Sequence, residues 1–196
     1  MMTLNKRLDL IEPKILDKSF RTERGTAPEK KLYSSPEDFV DVYPFIPYQF
    51  NLLQAVFTGI RTHGASGKHL SEGERSLLNA FQEAALQFSS FEDSILIPFN
   101  AFYKTIETFL DHNIRAVIIK AAESAERSDG ALQPYDVEVL KVLFMVKYIA
   151  NVLPANLENI TTIMLQNIDQ DKIEAKEGGC CCFSRILSVG FSPSMA

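Results

Sequence analysis

The chain has no tryptophan, and its only cysteines are the three consecutive residues Cys180, Cys181 and Cys182. No disulfide framework can therefore form before residue 180, so the fold must be held by burial rather than cross-links. Histidine is almost as scarce: His63, His69 and His112 are the full set. No two of them stand at metal-binding spacing on one helix and no cysteine lies near them, so a zinc site has little support. No apolar run reaches about 18 residues, which excludes a membrane-spanning helix. The stretch Met1 to Lys31 is charged and has no apolar core of a secretory signal. A basic surplus is also missing, since the formal net charge is −5, which gives no global attraction to nucleic acid. These absences point to a cytoplasmic address.

What is present suits one globular domain or two small ones. The 196 residues are 46% apolar and 23% charged, ordinary for a chain that buries a core. Fourteen Phe and six Tyr imply a core built largely from aromatic rings with Leu and Ile. Charge is uneven. Residues 1–31 carry eight Lys/Arg against five Asp/Glu, whereas residues 134–177 carry four Lys against seven Asp/Glu.

Along the chain, a broken apolar pattern in residues 1–18 and a polar stretch through Lys31 read as an N-terminal helix and linker. Ser34-Ser35-Pro36-Glu37-Asp38 reads as a helix start, with a serine cap, a first-turn proline and acids at the positive end of the dipole. Pro44 and Pro47 stop that helix, and Pro47 opens a longer one with Phe50, Leu53, Phe57 and Ile60 at three- and four-residue steps. Ser71 and Glu74 form a capping-box pattern, and Leu77, Leu78, Phe81, Ala84, Ala85 and Phe88 define the apolar face of the helix that follows. A further helix is expected after Pro98, with Phe99, Phe102, Tyr103, Ile106 and Phe109 inward. Asp111 is expected to cap the next, which buries Ile114, Val117, Ile118, Ala121, Ala122 and Ala125. Pro134 starts a strongly apolar helix to about Ala150, and Asn156 caps a short one through Leu165. Only residues 94–97 admit a short extended piece, so the expected fold class is all-α.

Motifs with chemical potential are few. Gly64-Ala65-Ser66-Gly67-Lys68 invites a phosphate-loop reading, but the position of the first glycine is Thr62, and His69 replaces the hydroxyl residue that reaches magnesium. No buried strand precedes it, so an inter-helix loop is the better reading. No nucleophile is placed beside a base by any spacing. The carboxylate pairs Glu37/Asp38 and Glu92/Asp93 are explained by capping and solvation.

The segment from Pro134 resembles the opening of a helix-turn-helix: a long helix, a short turn, a short capped helix, then a third helix from about Lys172. Gly178-Gly179 is expected to end that helix, leaving recognition helix and wing absent, and the local acidity argues against DNA binding by this segment alone. After it the composition changes abruptly. Residues 178–196 are expected to form an unstructured tail, read from another frame or of foreign origin. The alternative is acylation of Cys180, Cys181 and Cys182, which would make a membrane contact.

Several blocks carry a family resemblance. LYSSPEDF (32–39), VYPFIPYQFNLLQAVF (42–57), GASGKHLSEGERSLLNAFQEAA (64–85), YDVEVLKVLFMVKYI (135–149) and NLENITTIMLQNIDQDKIE (156–174) resemble, in order, the P-loop ATPase component of BREX bacteriophage-exclusion systems. The resemblance implies a fragment of a longer bacterial AAA+-type ATPase whose nucleotide motifs lie N-terminal to the matched region. ATP and Mg are implied for that parent and no cofactor for this chain. Other subunits of a phage-defence complex, or self-association, are the implied partners, with DNA engaged only through the parent. Residues 32–128 would be a helical lid-like domain and 129–177 a partial winged-helix-like segment. Gly73-Glu74-Arg75-Ser76 resembles the sensor-2 pattern of such lids, in which the arginine points at nucleotide phosphates. A guanidinium suits that task, so Arg75 is the one nucleotide-binding candidate, its alternative being an ordinary solvated first-turn arginine. A stand-alone helical interaction module is the alternative to the fragment reading.

Overall fold

A computed structural model describes residues 35–63, 73–90, 95–127, 130–167 and 172–188. The fold is all-α. Among the described residues the helices are α1 (Pro36–Val42), α2 (Tyr48–His63), α3 (Gly73–Gln87), α4 (Tyr103–Ile106), α5 (His112–Glu126), α6 (Pro134–Val146), α7 (Leu157–Ile163) and α8 (Lys172–Ser188). The extended piece expected at 94–97 shortens to one antiparallel bridge between Ile95 and Asn167, where the Leu96 amide donates to the Gln166 carbonyl at 2.8 Å.

The starts of the helices follow the local chemistry. Ser35 caps α1, its hydroxyl accepting from the Asp38 amide at 3.2 Å. Asn156 caps α7 by accepting from the Asn159 amide at 2.8 Å. Asp111 stands at the cap position of α5 without a side-chain cap bond. The capping box expected at Ser71 falls outside the described residues, as do the Gly64–Lys68 loop and the N-terminal stretch.

α6 organises the core. Val137, Val139, Leu140, Val142, Leu143, Met145 and Val146 are buried around nearly its whole circumference, as expected of a helix enclosed by others. α5, α8 and the segment after Pro98 pack against it. That segment is not one helix: α4 is flanked by 3₁₀ turns at Phe99–Phe102 and Glu107–Phe109. Phe99, Phe102, Tyr103 and Ile106 still point inward, and Phe109 is half-buried. An aromatic cluster joins it to the N-terminal helices. Phe81 of α3 stacks on Phe50 of α2 with centroids 4.2 Å apart, and meets Phe45 and Phe102 edge-on at 5.0 Å. Such pairs contribute about 0.5–1.5 kcal/mol each beyond the burial of their area.

Two expected faces are rotated in the structure. On α3 the buried positions are Ala80, Phe81 and Ala84, with Leu77 and Phe88 half-buried, whereas Leu78 is 71% exposed and Ala85 is exposed too. Leu78 and Ala85 lie seven residues apart, hence together on a stripe displaced from the buried one. On α2 Leu53, Phe57 and Ile60 are buried as expected, but Phe50 is exposed and covers the face of Phe81.

The C-terminal segment departs furthest from expectation. Residues 178–188 of the expected unstructured tail are helical: α8 passes through Gly178-Gly179 and continues to Ser188, and the rest of that tail lies outside the described residues. The glycines fail to stop it because one of them is needed for packing. A Cβ on Gly179 would stand 3.0 Å from Leu157 Cδ1 and Thr161 Oγ1, so its absence lets α8 close onto α7. Gly59 does the same for α2, where a Cβ would lie 2.5 Å from the Tyr148 carbonyl oxygen. Cys182 and Ile186 are buried in the same core cluster as Phe39 and Leu53. The third helix, expected to break off at residue 178, is therefore present as part of a three-helix packing of α6, α7 and α8.

Candidate functional site

Arg75 is exposed in the first turn of α3, away from the buried stripe of Ala80, Phe81 and Ala84. His63 ends α2 and His112 begins α5, both exposed, while His69 lies outside the described residues. Among the described residues no group of His, Cys, Asp and Glu could hold a metal ion.

α8 and the start of α6 form a polar cluster. Asp136, in the first turn of α6, has a side chain with no solvent exposure. Its Oδ2 accepts from Arg185 Nε at 2.7 Å and from the Gln133 amide at 2.8 Å, and its Oδ1 accepts from Arg185 Nη2 at 2.7 Å. The Cys182 thiol adds a further hydrogen bond. Burial pushes the Asp136 carboxyl up, but the hydrogen bonds from Arg185, Cys182 and Gln133 outweigh it and hold its pKa below the usual value. Cys182 is driven the other way: burial, then the hydrogen bond to Asp136 and its negative charge, raise the thiol far above its ordinary range. This thiol is neutral, enclosed and unreactive as a nucleophile. Cys180 and Cys181 are exposed, so among the three cysteines only those two are accessible to acylation in the folded chain. Among the described residues no helix is long and apolar enough to cross a membrane.

Two concavities accompany these features. A groove of about 500 Å³ runs along α2 past Tyr48, Ala55 and Gly59, facing Tyr148 and Val152. The other is a cleft of about 1150 Å³ between α3, the α4 segment, α5 and α6. Its lips include Leu86 of α3 and Ile119 of α5, 65% and 59% exposed. Polar groups line it below. Glu138 accepts from Asn100 Nδ2 at 2.8 Å through one oxygen and from Lys141 Nζ at 2.6 Å through the other. Glu83 Oε2 accepts from the Thr105 hydroxyl at 2.7 Å. Lys141 also lies 5.6 Å above the Tyr103 ring, a cation–π contact. Burial, together with the charges of Glu107 and Glu138 and opposed by that of Arg115, raises the Tyr103 phenol to about 12. Tyr103 therefore keeps its proton at neutral pH. The arrangement can recognise a ligand by hydrogen bonds and charge, with apolar contact at the lips.

The sequence singled out Arg75 as a nucleotide-binding candidate and pointed to neither Asp136, Arg185 nor the cleft. The spacing of Gln133 and Asp136 around Pro134 carried a capping-box signal for half of the first cluster. Its other half lies 49 residues away on α8. No protein-family model matches this chain, and no solved structure matches it.

Proposed function

We propose that this chain is a non-catalytic helical module of a BREX-type P-loop ATPase in bacteriophage defence, working by contact with a nucleotide-bearing core rather than by chemistry of its own. The observation that carries this reading is the placement of Arg75. It is exposed in the first turn of α3, while the opposite stripe of that helix is anchored in the aromatic cluster. A guanidinium so presented suits the terminal phosphates of a nucleotide held by another domain, because it is always charged and offers a planar fork of donors. The order of the sequence blocks that resemble the BREX ATPase component supports the same reading. ATP and Mg then belong to the parent's core, DNA is engaged through the parent, and the location is cytoplasmic.

The test uses the purified 196-residue chain. It should neither hydrolyse MgATP nor bind duplex DNA beyond a weak contact that disappears between low and physiological salt. Metal-dependent turnover that survives purification, or tight sequence-selective DNA binding at physiological salt, would contradict the proposal.

A stand-alone interaction module is the second reading. The cleft with its two exposed aliphatic lips favours it, since such a surface can serve a partner with no ATPase core present.

A further inference from the structure

We infer that the cleft between α3, α5 and α6 is a docking site for a basic amphipathic peptide segment, one presenting an aliphatic side chain flanked by Lys or Arg. This inference stands apart from the ATPase reading and uses none of its residues.

The two lips supply the apolar contact. Leu86 and Ile119 belong to different helices, border one concavity and are left largely in water by the fold. Ile118, Phe88 and Ala122 continue the apolar lining beneath them. An aliphatic side chain inserted between the lips would remove apolar surface from water on both sides at once.

The polar half decides the sign of the partner. Glu83, Glu107 and Glu138 line the cleft against Lys104 and Lys141. Lys141 is consumed by Glu138 at 2.6 Å. One oxygen of Glu83 is engaged by Thr105, and its second oxygen and the Glu107 carboxylate take no donor among the described residues. Among the described residues that line the cleft, carboxylates outnumber ammonium groups by three to two, and one of those ammonium groups, Lys141, is already paired with Glu138. An anionic ligand would meet the Glu107 carboxylate and the open oxygen of Glu83, whereas a guanidinium or ammonium can donate to both. An amphipathic helix combines both requirements by presenting aliphatic and basic side chains three or four residues apart.

The experiment uses the full chain and a fluorescently labelled Leu/Lys amphipathic model helix, with a Leu/Glu helix of the same pattern as its counterpart. Anisotropy should show saturable binding of the Leu/Lys helix and at least about tenfold weaker binding of the Leu/Glu helix. Leu86→Ser with Ile119→Ser, both at exposed positions, should weaken binding about tenfold. Glu83→Gln with Glu107→Gln should weaken it several-fold and flatten its salt dependence. Circular dichroism of each variant, matched to the parent, shows that the fold is kept. Unchanged affinity in both double variants would overturn the inference, because the peptide would then be held elsewhere on an acidic surface. Equal binding of the Leu/Glu helix would overturn it as well. So would a chain dimer, seen by sedimentation, that dissociates on the Leu86→Ser and Ile119→Ser changes, since a second copy would then be the occupant.

Discussion

Replacing Arg185 by alanine is the most informative single perturbation of the fold. The substitution removes both 2.7 Å hydrogen bonds to Asp136 and leaves that carboxylate, whose side chain is fully enclosed, with only the Gln133 amide and the Cys182 thiol. Breaking a buried ion pair from the side that strands a charge costs about 3–5 kcal/mol. Removing the charge instead, by Asp136→Asn, is milder. Arg185 keeps 30% of its side-chain surface in water and can rehydrate, so a cost of about 1–3 kcal/mol is expected. The assay is urea unfolding of the full chain followed by circular dichroism, paired with the rate at which a disulfide reagent titrates the thiols. In the parent, Cys180 and Cys181 should react at once and Cys182 slowly, because only the last is buried. In Arg185→Ala all three should react at once, with unfolding at lower urea. An Arg185→Ala protein that unfolds within about 0.5 kcal/mol of the parent, with Cys182 still protected, would refute the reasoning that this pair holds α8 in place.

Related outcomes follow from the same cluster. Ending the chain after residue 177 removes Cys182, Arg185 and Ile186 from the core and should lower the urea midpoint at least as far as Arg185→Ala does. An unchanged midpoint would restore the view of the C-terminal segment as a bystander. The pH dependence has a defined sign. Asp136 has a folded-state pKa below its unfolded value of 3.8, so between the two the unfolded chain binds more protons. The stabilisation it gives is fully present above the unfolded value and is lost as pH falls through the folded one. Unfolding free energy of the parent should therefore drop more steeply below about pH 4 than that of Asp136→Asn, and parallel curves would remove Asp136 from the account.

Helices were legible wherever local chemistry specified them. Ser35 and Asn156 cap as their side chains dictate, and Ile114, Ile118 and Ala121 of α5 bury as their spacing implies. The faces of α2 and α3 were legible in part, because periodicity marks an apolar stripe without saying which edge another ring will cover. Phe50 is left outward by lying on Phe81, and no described residue covers Leu78, which stays exposed. Gly178-Gly179 misled for a definable reason. Glycine carries a penalty in an isolated helix, but here the closeness of α7 and α8 requires it, and that distance is a tertiary fact. Three adjacent cysteines looked like a compositional break, whereas on a helix they fall on different faces, and one of them meets Asp136. The cleft was illegible altogether, since Glu83, Asn100, Glu107 and Glu138 are brought together only by the packing of four elements.

The proposed role is tested most directly by adding this chain to a BREX-type ATPase core purified without its own matching helical segment, and measuring ATP turnover. The chain should co-sediment with the core and raise turnover. Arg75→Ala should still co-sediment while losing about 100-fold of the stimulated rate, the scale expected when a donor to developing phosphate charge is removed. No association with the core, or stimulation that is indifferent to Arg75, would contradict it.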